Sequence, residues 1–99
     1  TAVTPYYNKK ELLSLDKYLI INADDFGMCR SANLAVMDLL KSGSITSSTI
    51  MAPCAWAYEA CQFAKNNPQF AIGVHLTFTS EWATYRWAPV GASNTDSLR

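Results

Sequence analysis

The stretch YLIINADDFG, residues 18–27, runs from four apolar positions into two adjacent carboxylates and a glycine. Its first part, 18–23, is short, apolar and rich in β-branched residues, which predicts a buried strand. Asp24 and Asp25 then stand where that strand is expected to end. Adjacent carboxylates repel each other and lose hydration when buried, so a cation, a proton or solvent must offset the cost. The stretch therefore predicts both a central strand and a candidate functional site.

The rest of the chain alternates helical and strand patterns. Helices are predicted near 31–42 and 55–66, and further strands near 46–51 and 70–76. Ser31 can cap the first helix, and Gly43 stands where a helix-ending glycine belongs. The predicted apolar stripes consist of Leu34, Val36, Met37 and Leu40 on the first helix, and of Trp56, Ala60, Phe63 and Ala64 on the second.

The order strand, helix, strand, helix, strand predicts an α/β fold, a parallel βαβαβ unit with covered strands. Three strands leave open sheet edges, so we expect residues 17–99 to be the N-terminal portion of a (β/α) barrel rather than a small three-stranded domain. Within it, 80–99 has no clear period and is expected to be an irregular loop or tail. Residues 1–16 are expected to form an arm with a short helix near 9–16.

Composition excludes several classes of protein. The chain is 49% hydrophobic and 16% charged with a net charge of zero, which argues against disorder and against binding to nucleic acid or anionic membranes. It has neither a signal-like apolar core nor a run long enough to span a bilayer, so we expect a cytoplasmic protein. Its three cysteines lack zinc-site spacing and are expected to be reduced thiols packed as small apolar groups. Open sheet edges make a homo-oligomer an expectation for such a chain.

Three polar side chains are predicted to meet at one edge of the sheet. Functional residues of parallel α/β folds cluster at the carboxyl ends of strands, where Asp24, Asp25 and His75 are expected. A carboxylate oxygen and a neutral imidazole nitrogen are suitable ligands for zinc or a similar divalent ion. The other carboxylate could then take a proton from water. Gly27 would let the backbone turn sharply beside them.

Each of these residues also has a purely structural interpretation. Asp24 could cap a helix, Asp25 could be a solvated loop acid, and His75 could be a core histidine bonded to a backbone carbonyl. The hydroxyls of 46–49 could bind a sugar, although a β-rich strand explains them more simply. The aromatic residues near the C-terminus could stack on a sugar or pack against a neighbouring surface; they are Trp82, Tyr85 and Trp87.

The segments YLIINADDFGMCRSANLAVMDLLKSGSITSSTIM, 18–51, and IGVHLTFTSEW, 72–82, resemble the N-terminal part of the YdjC-like carbohydrate deacetylases. This family includes chito-oligosaccharide deacetylase. The pairing of NADDFG with a later GVHLT is specific, whereas either motif alone is weak.

The resemblance implies a (β/α)-barrel-type metal-dependent amide hydrolase that removes acetyl groups from N-acetylated sugars. By resemblance, Asp25 and His75 bind a divalent ion, magnesium or zinc, and Asp24 is the general base that activates the attacking water. The family's second metal-binding histidine lies further along its sequence, whereas His75 is the only histidine here. We therefore expect at most a partial site in these 99 residues.

Two alternatives remain open at this point. A phosphoacceptor receiver-like domain also has paired acids after its first strand, but it needs an aspartate after the third strand, where this chain has GVHLT. The other alternative is a non-catalytic fragment or binding module that retains the family's N-terminal part.

Overall fold

The computed structural model describes residues 16–91, which form a parallel α/β unit. Its elements in chain order are β1 (Asn22–Phe26), α1 (Arg30–Ser42), β2 (Ser47–Ile50), α2 (Ala57–Asn66) and β3 (Ala71–Val74). The three strands are arranged in the order β1-β2-β3, and both neighbouring pairs are parallel. The predicted element order and parallel pairing are therefore confirmed.

The first strand lies further along the chain than the sequence predicted. β1 shares only Asn22 and Ala23 with the expected strand at 18–23, and it contains both aspartates instead of ending before them. The reason is the position of its partner, because β2 begins at Ser47 and pairs with β1 only from Asn22 onward. The apolar side chains of 18–21 are exposed on the described chain. The hydrophobicity of 18–21 therefore did not predict which residues pair with β2.

The first helix begins and ends through backbone features. Its N-cap is Cys29, which makes no side-chain capping bond, so the prediction that Ser31 caps this helix was wrong. Gly43 adopts the left-handed conformation at the C-terminus, with φ 75°, as predicted. Its N–H donates to carbonyls of the last turn, as that conformation permits.

The core lies where the two helices pack on the sheet. Its buried members are Phe26, Val36, Leu40, Ile45, Ile50, Ala57 and Ala60. The Phe63 ring packs edge-on against Phe26 and stacks on Phe70, with centroids 6.0 and 5.8 Å apart. Two predicted stripe residues are exposed instead: Leu34 points away from this core, and Trp56 precedes α2 and is its N-cap.

After β3 the described chain continues without helix or strand to residue 91, which includes the first part of the segment predicted to be irregular from residue 80. The rest of that segment, 92–99, and nearly all of the predicted arm and its short helix lie outside the described residues. Among the helices described within 16–91, none has the length and apolar character needed to cross a membrane.

Candidate metal and catalytic site

A β-bulge in β1 brings the two carboxylates to one cavity. Ala23 pairs with Ser48 and Phe26 with Ile50, so β1 advances three residues while β2 advances two. Successive side chains of a regular strand point to opposite faces, whereas an extra residue re-aims the side chains beside it. Asp24 and Asp25 both border the same cavity. Asp25 is the non-glycine residue with a positive φ in the described chain, at 64°.

His75 follows β3 directly and lies beside Asp25. The His75 N–H donates to the Ile50 carbonyl at 2.9 Å, which fixes the histidine backbone against β2. Its Nδ1 stands 3.4 Å from Asp25 Oδ1 and accepts a long hydrogen bond, also 3.4 Å, from the Asp25 N–H. The predicted convergence of these two side chains at one sheet edge is thus observed.

The atoms of this pair suit a shared cation. Asp25 Oδ1 and His75 Nδ1 face each other, and in a neutral imidazole with its proton on Nε2 both atoms offer an electron pair. Two ligand atoms of a tetrahedral zinc ion, each about 2.1 Å from the metal, lie about 3.4 Å apart. The separation of 3.4 Å between Oδ1 and Nδ1 fits this requirement. Within residues 16–91 no group of three or more His, Cys, Asp or Glu side chains is positioned to hold an ion.

Asp24 is held in place by polar neighbours on β1 and β2. Asn22 Nδ2 donates to Asp24 Oδ1 at 2.7 Å, and the Ser47 hydroxyl donates to Asn22 Oδ1, also at 2.7 Å. The Thr49 hydroxyl lies 3.5 Å from the same Asp24 oxygen, at the limit of a hydrogen bond. Asp24 is exposed, so these bonds orient a carboxylate that remains accessible to water.

The cavity beside the carboxylates has a volume of about 300 Å³. The two aspartates, two methionines and the segment that follows β3 border it. The lining residues are Asp24, Asp25, Met28, Met51, His75, Leu76, Thr77, Phe78, Thr79, Glu81, Trp82 and Trp87. A space of this size, bordered by a carboxylate pair and aromatic rings, matches a small-molecule site.

The three aromatic residues of the segment 80–91 divide between packing and the cavity. The Tyr85 hydroxyl donates to the Met28 carbonyl and accepts from the Ala55 N–H at 3.2 Å, so Tyr85 ties the segment to the loops after β1 and β2. The rings of Trp82 and Trp87 pack against Tyr85, with centroids 6.2 and 5.5 Å away, and both also border the cavity.

The hydroxyls on and just before β2 mostly serve the sheet. Thr46 exchanges hydrogen bonds with the backbone of Ile21, and Ser48 donates to the Ala23 carbonyl at 2.7 Å. These contacts support the structural interpretation of Thr46 and Ser48 over a direct sugar contact. Thr49 is the member of this group that approaches the carboxylate pair.

The three thiols are free but differ in environment. Cys54 is buried, which raises its pKa, in agreement with the predicted apolar packing. Cys61 is exposed, so the packing prediction was wrong for it. A hydrogen bond with the Ser31 side chain lowers the pKa of the Cys29 thiol.

Asn33, to which the sequence pattern assigned no role, is fully buried beneath the site. Its Oδ1 accepts from the Gly27 N–H at 2.7 Å. Its Nδ2 donates to the Trp56 carbonyl at 3.1 Å and to Glu59 Oε1 at 3.2 Å. Its position between Ala32 and Leu34 in an amphipathic helix gave one available signal, a polar residue on the same face as Val36 and Leu40.

A parallel βαβαβ unit with an aspartate pair and a histidine at one sheet edge places this chain in the α/β class. The family model of the YdjC-like proteins matches residues 18–98, and the chain belongs to this family.

Among its relatives, a protein named chitooligosaccharide deacetylase from Yersinia enterocolitica is 38% identical over 65 residues, which are 66% of this chain and 26% of the relative. Two proteins named carbohydrate deacetylase are similar as well. The one from Geobacillus stearothermophilus is 35% identical over 66% of this chain and 26% of its own length. The one from Thermoanaerobacter pseudethanolicus is 41% identical over 62% of this chain and 24% of its own length. The matched part of the chain thus spans about a quarter of the length of these curated relatives.

Proposed function

We propose that this chain carries part of the active site of a metal-dependent hydrolase that removes acetyl groups from N-acetylated sugars, with chito-oligosaccharides as the substrate class. Membership of the YdjC-like family and the names of the similar deacetylases support this proposal. The observation that carries it is the pair of electron-pair donors, Asp25 Oδ1 and His75 Nδ1, 3.4 Å apart beside Asp24.

Asp25 and His75 are the residues that would hold a divalent cation, magnesium or zinc. When bound, such an ion supplies positive charge that polarises the acetamide carbonyl. The backbone positions the two ligands before any ion arrives, because His75 is fixed to β2 and Asp25 is fixed by the bulge. Binding of the ion through Nδ1 would require that the histidine proton be on Nε2.

Asp24 is proposed as the general base. Both hydrogen bonds described for its carboxylate reach Oδ1, which leaves Oδ2 to accept a proton from water in the cavity. The water oxygen then bonds to the acetamide carbon, and the C–N bond breaks. The amine leaves with the proton that Asp24 took from the water, and acetate is released. An exposed carboxylate on a fixed backbone can alternate between accepting and releasing this proton in each cycle.

The test is acetate release by the intact protein that contains this chain. We expect release from N-acetylated chito-oligosaccharides, loss of activity after treatment with a chelator, and recovery on adding zinc or magnesium. Acetate release that survives complete removal of divalent ions would contradict metal dependence. Binding of the oligosaccharide without acetate release by the metal-loaded protein would favour a binding module instead.

A receiver-like function has weaker support. The position after β3 holds His75, followed by Leu76 and Thr77, where a receiver needs an aspartate. The His75 carbonyl accepts from the Thr77 hydroxyl at 2.7 Å, so this threonine is engaged with the backbone. Formation of an acyl-phosphate on incubation with a small phosphodonor would overturn our preference for the hydrolase.

A further inference from the structure

We propose that Asn33 is a positioning residue for the carboxylate pair: its buried carboxamide fixes the turn after β1 and thereby maintains the backbone conformation that turns Asp24 and Asp25 toward the cavity. This inference rests on the proposed function for its kinetic consequence. Its structural consequence can be measured separately.

The turn that Asn33 contacts begins at Asp25. The Asp25 carbonyl accepts from the Met28 N–H at 3.2 Å, which closes a turn over 25–28. Gly27 lies inside this turn with φ 94°, and its N–H donates to Asn33 Oδ1 at 2.7 Å. The Asn33 bond is therefore made two residues from the bulged Asp25.

The amide nitrogen of Asn33 is also anchored, on the side away from the turn. Its Nδ2 donates both hydrogens, one to the Trp56 carbonyl and one to Glu59 Oε1. Glu59 also forms an ion pair with Arg30 at 2.6 Å. The carboxamide thus connects the turn after β1 with the start of α2, and its direction is set by donors and acceptors that cannot be exchanged.

Asn33 would act on the site through other residues. Asn33 is fully buried and is not one of the residues that line the cavity, so it does not touch substrate there. Asp25 adopts a left-handed conformation, which an aspartate holds only when its surroundings impose it. Partners that orient a ligand from behind commonly change metal affinity or activity by about 10- to 100-fold when they are removed.

The experiment compares two buried polar residues that both bond to β1 or to its following turn. Asn33→Leu keeps the branched shape of the side chain but leaves the Gly27 N–H without its acceptor. Ser48→Ala removes a hydroxyl that is equally buried and donates to the Ala23 carbonyl at 2.7 Å, before the bulge. Zinc affinity of the intact protein is measured by competition with a chromogenic chelator, and kcat and KM are measured by acetate release.

We expect Asn33→Leu to lower zinc affinity about 10- to 100-fold and to reduce kcat more than it changes KM. Ser48→Ala should leave zinc affinity within about threefold, because its bond lies before the bulge. Zinc affinity and kcat that are both unchanged in Asn33→Leu would overturn the proposal. An equal fall of zinc affinity in both variants would also overturn it, because general destabilisation would then explain the result.

Two further measurements cover the cases in which Asn33→Leu does not fold or the unmodified protein binds no divalent ion. If Asn33→Leu does not fold, Asn33→Ser replaces it, since a smaller side chain leaves room for water and should still weaken zinc binding. If the unmodified protein binds no divalent ion, the proposed function fails, and crystal structures of the unmodified and Asn33 variant proteins then test positioning alone. Asp25 that keeps its positive φ in the variant overturns the inference, and Asp25 that leaves this conformation supports it.

Discussion

At the scale of single residues, the backbone of Asp25 decides what the carboxylate pair can do. A left-handed conformation costs an L-residue with a Cβ roughly 1–2 kcal/mol relative to a relaxed one. Asp25 has φ 64° and nevertheless lies in a strand, so the bulge holds it there against this cost. In this conformation its carboxylate lies 3.4 Å from His75 Nδ1.

This strain predicts an unequal response to two substitutions that both remove the carboxylate. Asp25→Gly should give a free energy of unfolding about 1 kcal/mol higher than Asp25→Ala, because glycine adopts a positive φ without a steric cost. Zinc affinity should be lost equally in both. Urea unfolding of the metal-free proteins measures the difference. An alanine variant as stable as the glycine variant would show that the conformation at residue 25 is not strained.

The two neighbouring carboxylates should separate catalysis from metal binding. Asp24→Asn should lower kcat by about 10²–10⁴-fold, since an amide cannot take up the proton from water. Its zinc affinity should change little, because no ligand is removed. Asp25→Asn and His75→Ala should instead weaken zinc binding itself. Chelator competition and acetate release on the same preparations distinguish these effects, and full activity in Asp24→Asn would refute its assignment as the base.

At the scale of elements, the turn that joins β1 to α1 passes unusually close to α2. A Cβ on Gly27 would lie 2.9 Å from Ala57 Cα, a backbone atom that cannot move alone. The Gly27 carbonyl also accepts from the Trp56 N–H at 3.1 Å. The small size of this glycine thus lets the start of α2 approach the end of β1.

A pair of glycine substitutions tests this contact. Gly43 has a similar positive φ of 75°, but a Cβ added there would meet no described atom within 4 Å. Gly43→Ala should therefore cost only the conformational strain, about 1–2 kcal/mol. Gly27→Ala adds overpacking of about 1–3 kcal/mol to the same strain. Thermal or urea unfolding of the two variants measures the difference, and equal destabilisation would mean that the close approach to Ala57 is absent.

Element order and pairing were predictable from sequence because they depend on local patterns. Capped amphipathic segments between short apolar runs leave few alternatives to parallel βαβ crossovers. The bounds of β1 were not predictable in this way, because they depend on where β2 begins. The bulge at Asp25 was hidden for a related reason, since register is a property of two strands and not of one.

The candidate site was likewise predictable from the sequence only in part. Asp24, Asp25 and His75 could be found because parallel strands bring their carboxyl ends to one edge. Asn33 could not be assigned a role, because its three partners come from the turn after β1 and from the start of α2. Hydrogen bonds across 6 to 26 residues of sequence leave no periodic pattern to read.

At the scale of the whole molecule, the described chain presents the Asp25–His75 pair and several uncovered apolar side chains. Tyr18, Leu19 and Ile20 are 89%, 75% and 79% exposed, and Val74 and Leu76 are 74% and 76% exposed. Exposed apolar surface occurs at interaction sites, in ligand-binding grooves and in regions prone to aggregation. The matched relatives are about four times longer than the part they share with this chain.

The two-residue pair and the greater length of the relatives together predict how the isolated chain behaves. The 99-residue chain by itself should release no acetate from N-acetylated chito-oligosaccharides, and it should bind zinc far more weakly than an intact family member. Two ligands leave a zinc ion short of the three protein ligands that catalytic zinc sites use. Adding back further ligands from the rest of a longer protein should restore tight binding. Chelator competition on the short and long proteins, prepared in parallel, measures the contrast. Acetate release by the short chain at the rate of the long one would show that the site formed by β1 and the residue after β3 is already complete.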